Sequence, residues 1–369
     1  MIKSVLKYIL IFFLKLLPLR KIILFESFPD FSDSSMEIYK ELINRGYNKK
    51  YKLVWMNSSE ATDREFVVPK TIIQRFYYHY VAKCIITGNR IIYKVKKNQC
   101  VFYLTHGGPA KSVKDYYFFK GEISYCIIIS QNSVEETADN LHISKNKVIG
   151  LGQPRVSEII NSDVRLENIF GHYKKYIFWY PTFKTNKSGR VVGNGLPIPF
   201  CDNLENLERI DSVCRQNDVL LVIKVHFSQT DSTIINFRFK NIIFADFSFF
   251  KNKGVSSYKC LAKADALVTD YSSVFYDFLV VDKPICFIWD DINLYKENNG
   301  LYKIFYDYSS DCGTKVYDVG QFCCFIEKVA NGVDENMEMR KKVFESFYPF
   351  EEIDPTKRVT DFIIDKSRL

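Results

Sequence analysis

The chain has 369 residues, 47% hydrophobic and 16% aromatic, and its 51 Lys and Arg outnumber its 43 Asp and Glu for a net charge of +8. This composition excludes a disordered chain, and the length favours two domains over a single core. The basic excess suits a protein that meets anionic surfaces or phosphorylated substrates, but it is too small to argue for nucleic acid.

The first segment, MIKSVLKYILIFFLKLLPLRK, has its longest apolar run from Tyr8 to Leu14. That is far short of the roughly 20 residues of a spanning helix, and no small-residue cleavage site follows. At helical spacing Lys3, Lys7 and Lys15 share one wedge, which predicts a helix lying in an anionic membrane interface. The alternative is a first helix packed on its own domain.

After Pro18, short apolar strands alternate with helical stretches. Strands are predicted at Lys21–Ser27, Tyr51–Met56, Lys83–Thr87, Val101–Thr105, Tyr125–Ser130 and Lys147–Leu151, with a helix over Ser35–Arg45. The rhythm resumes at Tyr176–Tyr180, Val219–Val225, Asn241–Ala245, Ala266–Thr269 and Pro284–Trp289. Alternation of this kind predicts α/β architecture, with parallel sheets covered on both faces. The join is expected near Asn161–Tyr173. None of the ten cysteines forms a CxxC pair and most lie in apolar runs, so reduced, buried thiols are expected and no metal-ligand spacing is seen.

In doubly wound domains ligands gather at the carboxyl ends of strands, so the polar residues just past each strand are the candidates. In VFYLTHGGPAKSV, His106 ends a strand, Gly107 allows a close backbone approach and Lys111 follows within reach of a phosphate. A neutral imidazole there can take a proton from an attacking hydroxyl. In VLLVIKVH, period two puts Val222, Lys224 and His226 on one face, which makes Lys224 and His226 a cationic pocket or, alternatively, core residues. YPTFKTNKSGR supplies Thr182 and Lys184, with Lys187 and Arg190 in a loop able to close over an anion or to stay solvated. In ALVTDYSSVFYDF, Ser272 or Ser273 can cap the next helix, whose free N–H groups attract a phosphate. Asp270, repelled by phosphate, either holds the loop or binds a ligand hydroxyl. No GxxxxGK[ST], GxGxxG or acidic metal cluster is present.

Taken together, ILFESFPDFSDSSMEIYKEL, THGGPAKSV, GLGQPR, YPTFK, IKVH and ADALVTDYSSVFYDFLVVDKPICFI resemble the CDP-glycerol glycerophosphotransferase family of teichoic acid and capsule polyol-phosphate transferases. The resemblance implies a GT-B-like fold of two Rossmann-type domains facing a central cleft. It implies transfer of a polyol phosphate, glycerol phosphate first among them, from a CDP-activated donor to a lipid-linked glycan or polymer, releasing CMP at the cytoplasmic face of the membrane. It places the base on His106 and the donor-phosphate histidine on His226, with Lys184, Asp270, Ser272 and Ser273 as donor-site residues. THGGP, PTFKT, PRVS and Lys224 stand where the family commonly has WHGTP, PTFRD, PRND and an arginine, which leaves the CDP-polyol open. No cofactor or metal ligand is implied, and dependence on a divalent metal stays open. Rival readings are a GT-B glycosyltransferase using a nucleotide sugar and an inactive nucleotide-binding scaffold. The expected layout is a membrane-associating helix over 1–20, an acceptor-side domain over 21–160, a donor-binding domain over 161–345 and a C-terminal helix over 346–369.

Overall fold

The computed structural model describes residues 11–27, 31–56, 71–88, 92–108, 110, 121–182, 198–201, 204–225, 237–290, 292–293 and 302–369. The chain divides into two compact units. One takes Met1–Gly107, Lys114–Ser157 and Phe350–Leu369; the other takes Gly108–Val113 and Glu158–Pro349.

Each unit is built on a six-stranded sheet whose pairings are all parallel. In the first unit the strands are β1 (Arg20–Glu26), β2 (Lys52–Trp55), β3 (Ala82–Thr87), β4 (Cys100–Tyr103), β5 (Tyr125–Ile128) and β6 (Val148–Gly150). Their order across the sheet is β2-β1-β3-β4-β5-β6. The second unit has β7 (Lys175–Tyr180), β8 (Val219–Lys224), β9 (Ile242–Ala245), β10 (Ala266–Thr269), β11 (Ile285–Ile288) and β12 (Thr314–Val316), ordered β12-β11-β10-β7-β8-β9. The expected α/β class and doubly wound sheets are therefore what the chain forms. Order reverses between β1 and β3 in one sheet and between β7 and β10 in the other. A doubly wound sheet opens a ligand crevice at such a point, beyond the strand carboxyl ends.

The strand bounds differ from the sequence expectation by a residue or two, because apolar side chains continue past the last ladder hydrogen bond. The strand left unpredicted is β12: Thr-Lys-Val is short, carries a charge at its centre, and lies on the sheet edge, where polar residues are tolerated.

Helices cover the sheets by burying one face each. The Asp33–Asn44 helix turns Ile38, Tyr39 and Leu42 into the first core, where they meet Ile23, Phe25 and Trp55. The Thr356–Ser367 helix adds Val359 and Ile363 to the same core, so the chain's end belongs to the first unit. In the second unit Ile177, Trp179, Leu221, Ile223 and Val225 pack with Phe322 and Ile326 of the Val319–Ala330 helix. The period-two reading of VLLVIKVH holds through Val225: Leu221, Ile223 and Val225 enter that core, while Lys224 is the partly exposed end of an otherwise buried strand.

All ten cysteines are free and eight are buried. Among the described residues no helix is long and apolar enough to cross a membrane. Residues 11–16 are helical, with Leu14 buried and Phe12, Phe13 and Leu16 exposed. Lys3 and Lys7, on which part of the interfacial-helix expectation rests, lie outside the described residues.

Candidate active site

In the first unit the chemistry gathers around His106, just past β4. Its side chain is 60% exposed, and Nδ1 lies 2.6 Å from Oδ2 of Asp33, the first residue of the Asp33–Asn44 helix. A carboxylate only accepts, so Nδ1 carries the proton and donates it, and in the neutral ring the lone pair is then on Nε2. Asp33 Oδ1 accepts the Ser34 N–H at 2.7 Å and lies 3.8 Å from Nη1 of buried Arg155. Burial alone would push the Asp33 carboxyl up. The Arg155 guanidinium, the His106 imidazole and the Ser34 N–H outweigh it, and the group is held well below the usual carboxylate range.

Backbone strain collects at the same place. Phe31, Asp33 and Thr105 have φ of 59°, 60° and 21°, in a region that side chains other than glycine seldom adopt. The strain is held by a buried network. The Gln153 amide sits 2.6 Å from Thr105 Oγ1 and 3.2 Å from Ser34 Oγ, while Ser34 Oγ accepts from the Arg155 N–H at 3.3 Å. Thr105 Oγ1 donates to the Ile127 carbonyl at 3.1 Å. At the β1/β3 reversal, Thr87 Oγ1 donates to Oε2 of buried Glu26 at 2.7 Å. After His106 the chain needs two glycines: Gly107 has φ of 106°, and a Cβ on Gly108 would fall 2.4 Å from the Tyr276 ring.

In the second unit the β7/β10 reversal is closed by one carboxylate. Asp270 is fully buried; both its oxygens accept the Thr182 N–H at 3.0 Å, and Oδ1 also accepts the Thr182 hydroxyl. Thr269 Oγ1 donates to the Tyr180 carbonyl at 2.8 Å. Asp270 therefore ties the end of β10 to the end of β7, the loop-holding member of its two sequence alternatives. Ser272 Oγ accepts weakly from the Val274 N–H at 3.4 Å, and Ser273, half-buried, makes no side-chain cap bond to the short Val274–Phe278 helix. Tyr271 is fully buried, and Tyr258, from the Ser257–Leu261 helix, donates to Asp277 of the same motif.

Lys224 ends β8 with its ammonium 5.2 Å from the Tyr180 ring centroid. Burial pushes its pKa down, since removing an ammonium from water disfavours the charged form. No carboxylate among the described residues forms an ion pair with it. A partly enclosed cation facing a ring is suited to an incoming anion.

Lys111, Lys184 and His226 lie outside the described residues, as do Lys187 and Arg190. Asp33, Gln153, Arg155 and Tyr180 carry the observed geometry although sequence reading gave them no role. All but Tyr180 sit inside the stretches FPDFSDSSMEIYKEL and GLGQPR, where an acid immediately before two serines at a helix start was the available signal. Among the described residues no cluster of three or more His, Cys, Asp or Glu could hold a metal ion.

The sequence of residues 9–365 matches the family described as CDP-Glycerol:Poly(glycerophosphate) glycerophosphotransferase. The chain belongs to this family. It is 24% identical to the teichoic acid poly(glycerol phosphate) polymerase of Bacillus spizizenii over 93% of this chain and 92% of that protein. It is also 24% identical to the teichoic acid glycerol-phosphate transferase of Staphylococcus aureus, covering 94% of each. The teichoic acid poly(ribitol-phosphate) polymerase of B. spizizenii is longer, and the chain spans only 45% of it, at 24% identity. Among solved structures, the wall teichoic acid polymerase TagF superposes with a TM-score of 0.73 at 19% identity, covering 95% of this chain and 90% of that one. The GT-B-like expectation for the fold is met by that likeness.

Because the Asp33 carboxyl stays charged more readily folded than unfolded, its stabilisation is complete above about pH 4 and is lost as pH falls through the lower folded value. Chemical denaturation from pH 6 to pH 2 should show a steep loss of stability in the wild type and a flatter acid limb in Asp33→Asn. Parallel limbs would contradict the assignment.

Proposed function

We propose that the chain transfers a polyol phosphate from a CDP-linked donor to a hydroxyl of a lipid-linked polymer or glycan acceptor, releasing CMP. Membership of the family over nearly the whole chain supports the reaction class. The observation that carries the assignment of residues is the His106–Asp33 pair, in which an exposed imidazole is held through its Nδ1.

In this reading the acceptor O–H gives its proton to His106 Nε2 as its oxygen attacks the donor's β-phosphorus in line. The new O–P bond forms while the anhydride P–O bond breaks, and CMP leaves with the bonding electrons. Asp33 stabilises the imidazolium that results and keeps the ring from turning. Lys224 meets the donor's pyrophosphate charge, with His226 and Lys184 assigned the same task from sequence. Gly107, Thr182, Ser272 and Ser273 are assigned to substrate binding, Thr182 being held by its bond to Asp270, and Lys111 keeps its phosphate role from sequence alone. Positioning and electrostatics supply most of the rate, as in phosphoryl transfers generally. The acceptor's lipid suggests work at the cytoplasmic face of the membrane, and exposed Phe12, Phe13 and Leu16 beside Lys15 have the chemistry to dock there peripherally.

The deciding assay incubates purified protein with CDP-glycerol or CDP-ribitol and a lipid-linked acceptor, and follows CMP. His106→Gln should lower turnover at least about 100-fold with the fold retained; turnover equal to wild type would remove His106 from the chemistry. Lys224→Met should raise the thermal unfolding midpoint at pH 7, since a buried charge is removed, and weaken CDP binding about tenfold or more by calorimetry. Unchanged CDP affinity would assign Lys224 to the core. Replacing Phe12 and Phe13 with Ser should reduce co-sedimentation with phosphatidylglycerol vesicles several-fold at unchanged turnover on a soluble acceptor, and equal sedimentation would contradict the docking surface.

A further inference from the structure

Arginine is seldom buried without a reason, and Arg155 is 5% exposed. It sits in the Pro154–Val156 turn after β6. Its Nη1 is 3.8 Å from Asp33 Oδ1, while Asp33 Oδ2 takes the His106 Nδ1–H at 2.6 Å. One carboxylate thus serves two cationic partners, one on each oxygen. The turn is fixed by its backbone: the Arg155 N–H donates to Ser34 Oγ at 3.3 Å, the Gln153 amide bridges Ser34 and Thr105, and the Leu151 carbonyl accepts from Arg358 Nε at 2.7 Å.

The other ionisable groups on the elements packed here are engaged elsewhere. Glu26 at the end of β1 accepts from Thr87, and Glu37 pairs with Lys40 one turn along the Asp33 helix. From the chain's end, Asp361 pairs with Arg45, Lys357 pairs with Glu352, and Arg358 bonds backbone carbonyls. Among the described residues, Arg155 and His106 are the cations within ion-pair distance of Asp33.

We propose that Arg155 is a positioning residue: it anchors Asp33 Oδ1 and takes up part of its charge, so that Asp33 orients His106 without holding it as imidazolium. An unshared carboxylate against Nδ1 would favour the protonated ring, which has no lone pair for the acceptor's proton. A guanidinium 3.8 Å from the carboxylate offsets that pull. This proposal rests on reading His106 as the base.

The experiment compares full-length wild type, Arg155→Met, Arg155→Gln and Arg155→Lys by two independent readouts. The first is 13C-histidine NMR without substrate near pH 7, with the His106 signal assigned by its loss in His106→Gln. Arg155→Met should raise the imidazolium-to-imidazole ratio of His106 at least about threefold, a half-unit effect of the kind a neighbouring charge exerts, and Arg155→Lys should leave it near wild type. The second is the pH dependence of CMP release, whose acid-side limb should move to higher pH in Arg155→Met and stay in place in Arg155→Lys. Should Arg155→Met fail to fold, Arg155→Gln removes the charge while keeping a hydrogen-bond donor, with the same expectation. An unchanged imidazolium fraction in the neutral variants overturns the proposal, whatever their stability. An imidazolium shift without movement of the acid limb leaves the charge sharing intact and overturns the base role of His106 instead.

Discussion

The hydrogen bond from His106 Nδ1 to Asp33 is the interaction on which the functional reading depends. An exposed imidazole on its own turns freely and offers either nitrogen. A carboxylate at 2.6 Å fixes the ring and selects the tautomer that keeps the lone pair on Nε2. Asp33 can do this because it opens a helix: its charge sits at the positive end of the helix dipole, its Oδ1 accepts the Ser34 N–H, and its backbone adopts a left-handed conformation that aims the side chain. The cost of that conformation, and of a φ of 21° at Thr105, is met by the buried Gln153–Ser34–Thr105 bonds. A strained arrangement of this kind survives only where its surroundings over-determine it.

The second unit solves a different problem with the same kind of sheet. Where strand order reverses between β7 and β10, two loops leave the sheet side by side, and an anion site there needs both held still. Asp270 does so through the Thr182 backbone and hydroxyl, spending its own charge within the protein. Lys224 is left facing Tyr180, with no acid among the described residues in an ion pair with it. A cation in that position weakens the folded state and is kept where it has something to bind.

Much of this was legible in the sequence, for identifiable reasons. β-branched runs such as VLLVIKV and ALVT have one good structural solution, a strand buried on both faces, so their positions came out within a residue or two. The ends of those runs marked His106, Thr182, Lys224 and Asp270 as residues standing past a strand. What the sequence could not give was partnership. Asp33 lies 73 residues from His106 in the chain, and Gln153 lies 119 from Ser34. Nothing in FSDSSME states that its acid meets a histidine beyond another strand. The same limit applies to Asp270, whose two roles were equivalent on paper until the Thr182 bonds separated them. β12 was missed because an edge strand of three residues has no hydrophobic period to read.

The most direct test of the central claim is 15N NMR of histidine-labelled protein at a pH where His106 is neutral. The account predicts a protonated, pyrrole-type Nδ1 and an unprotonated, pyridine-type Nε2 for His106, with that distinction weakened in Asp33→Ala. A ring protonated at Nε2 in the wild type would leave no base facing the acceptor, and would contradict the account at its root.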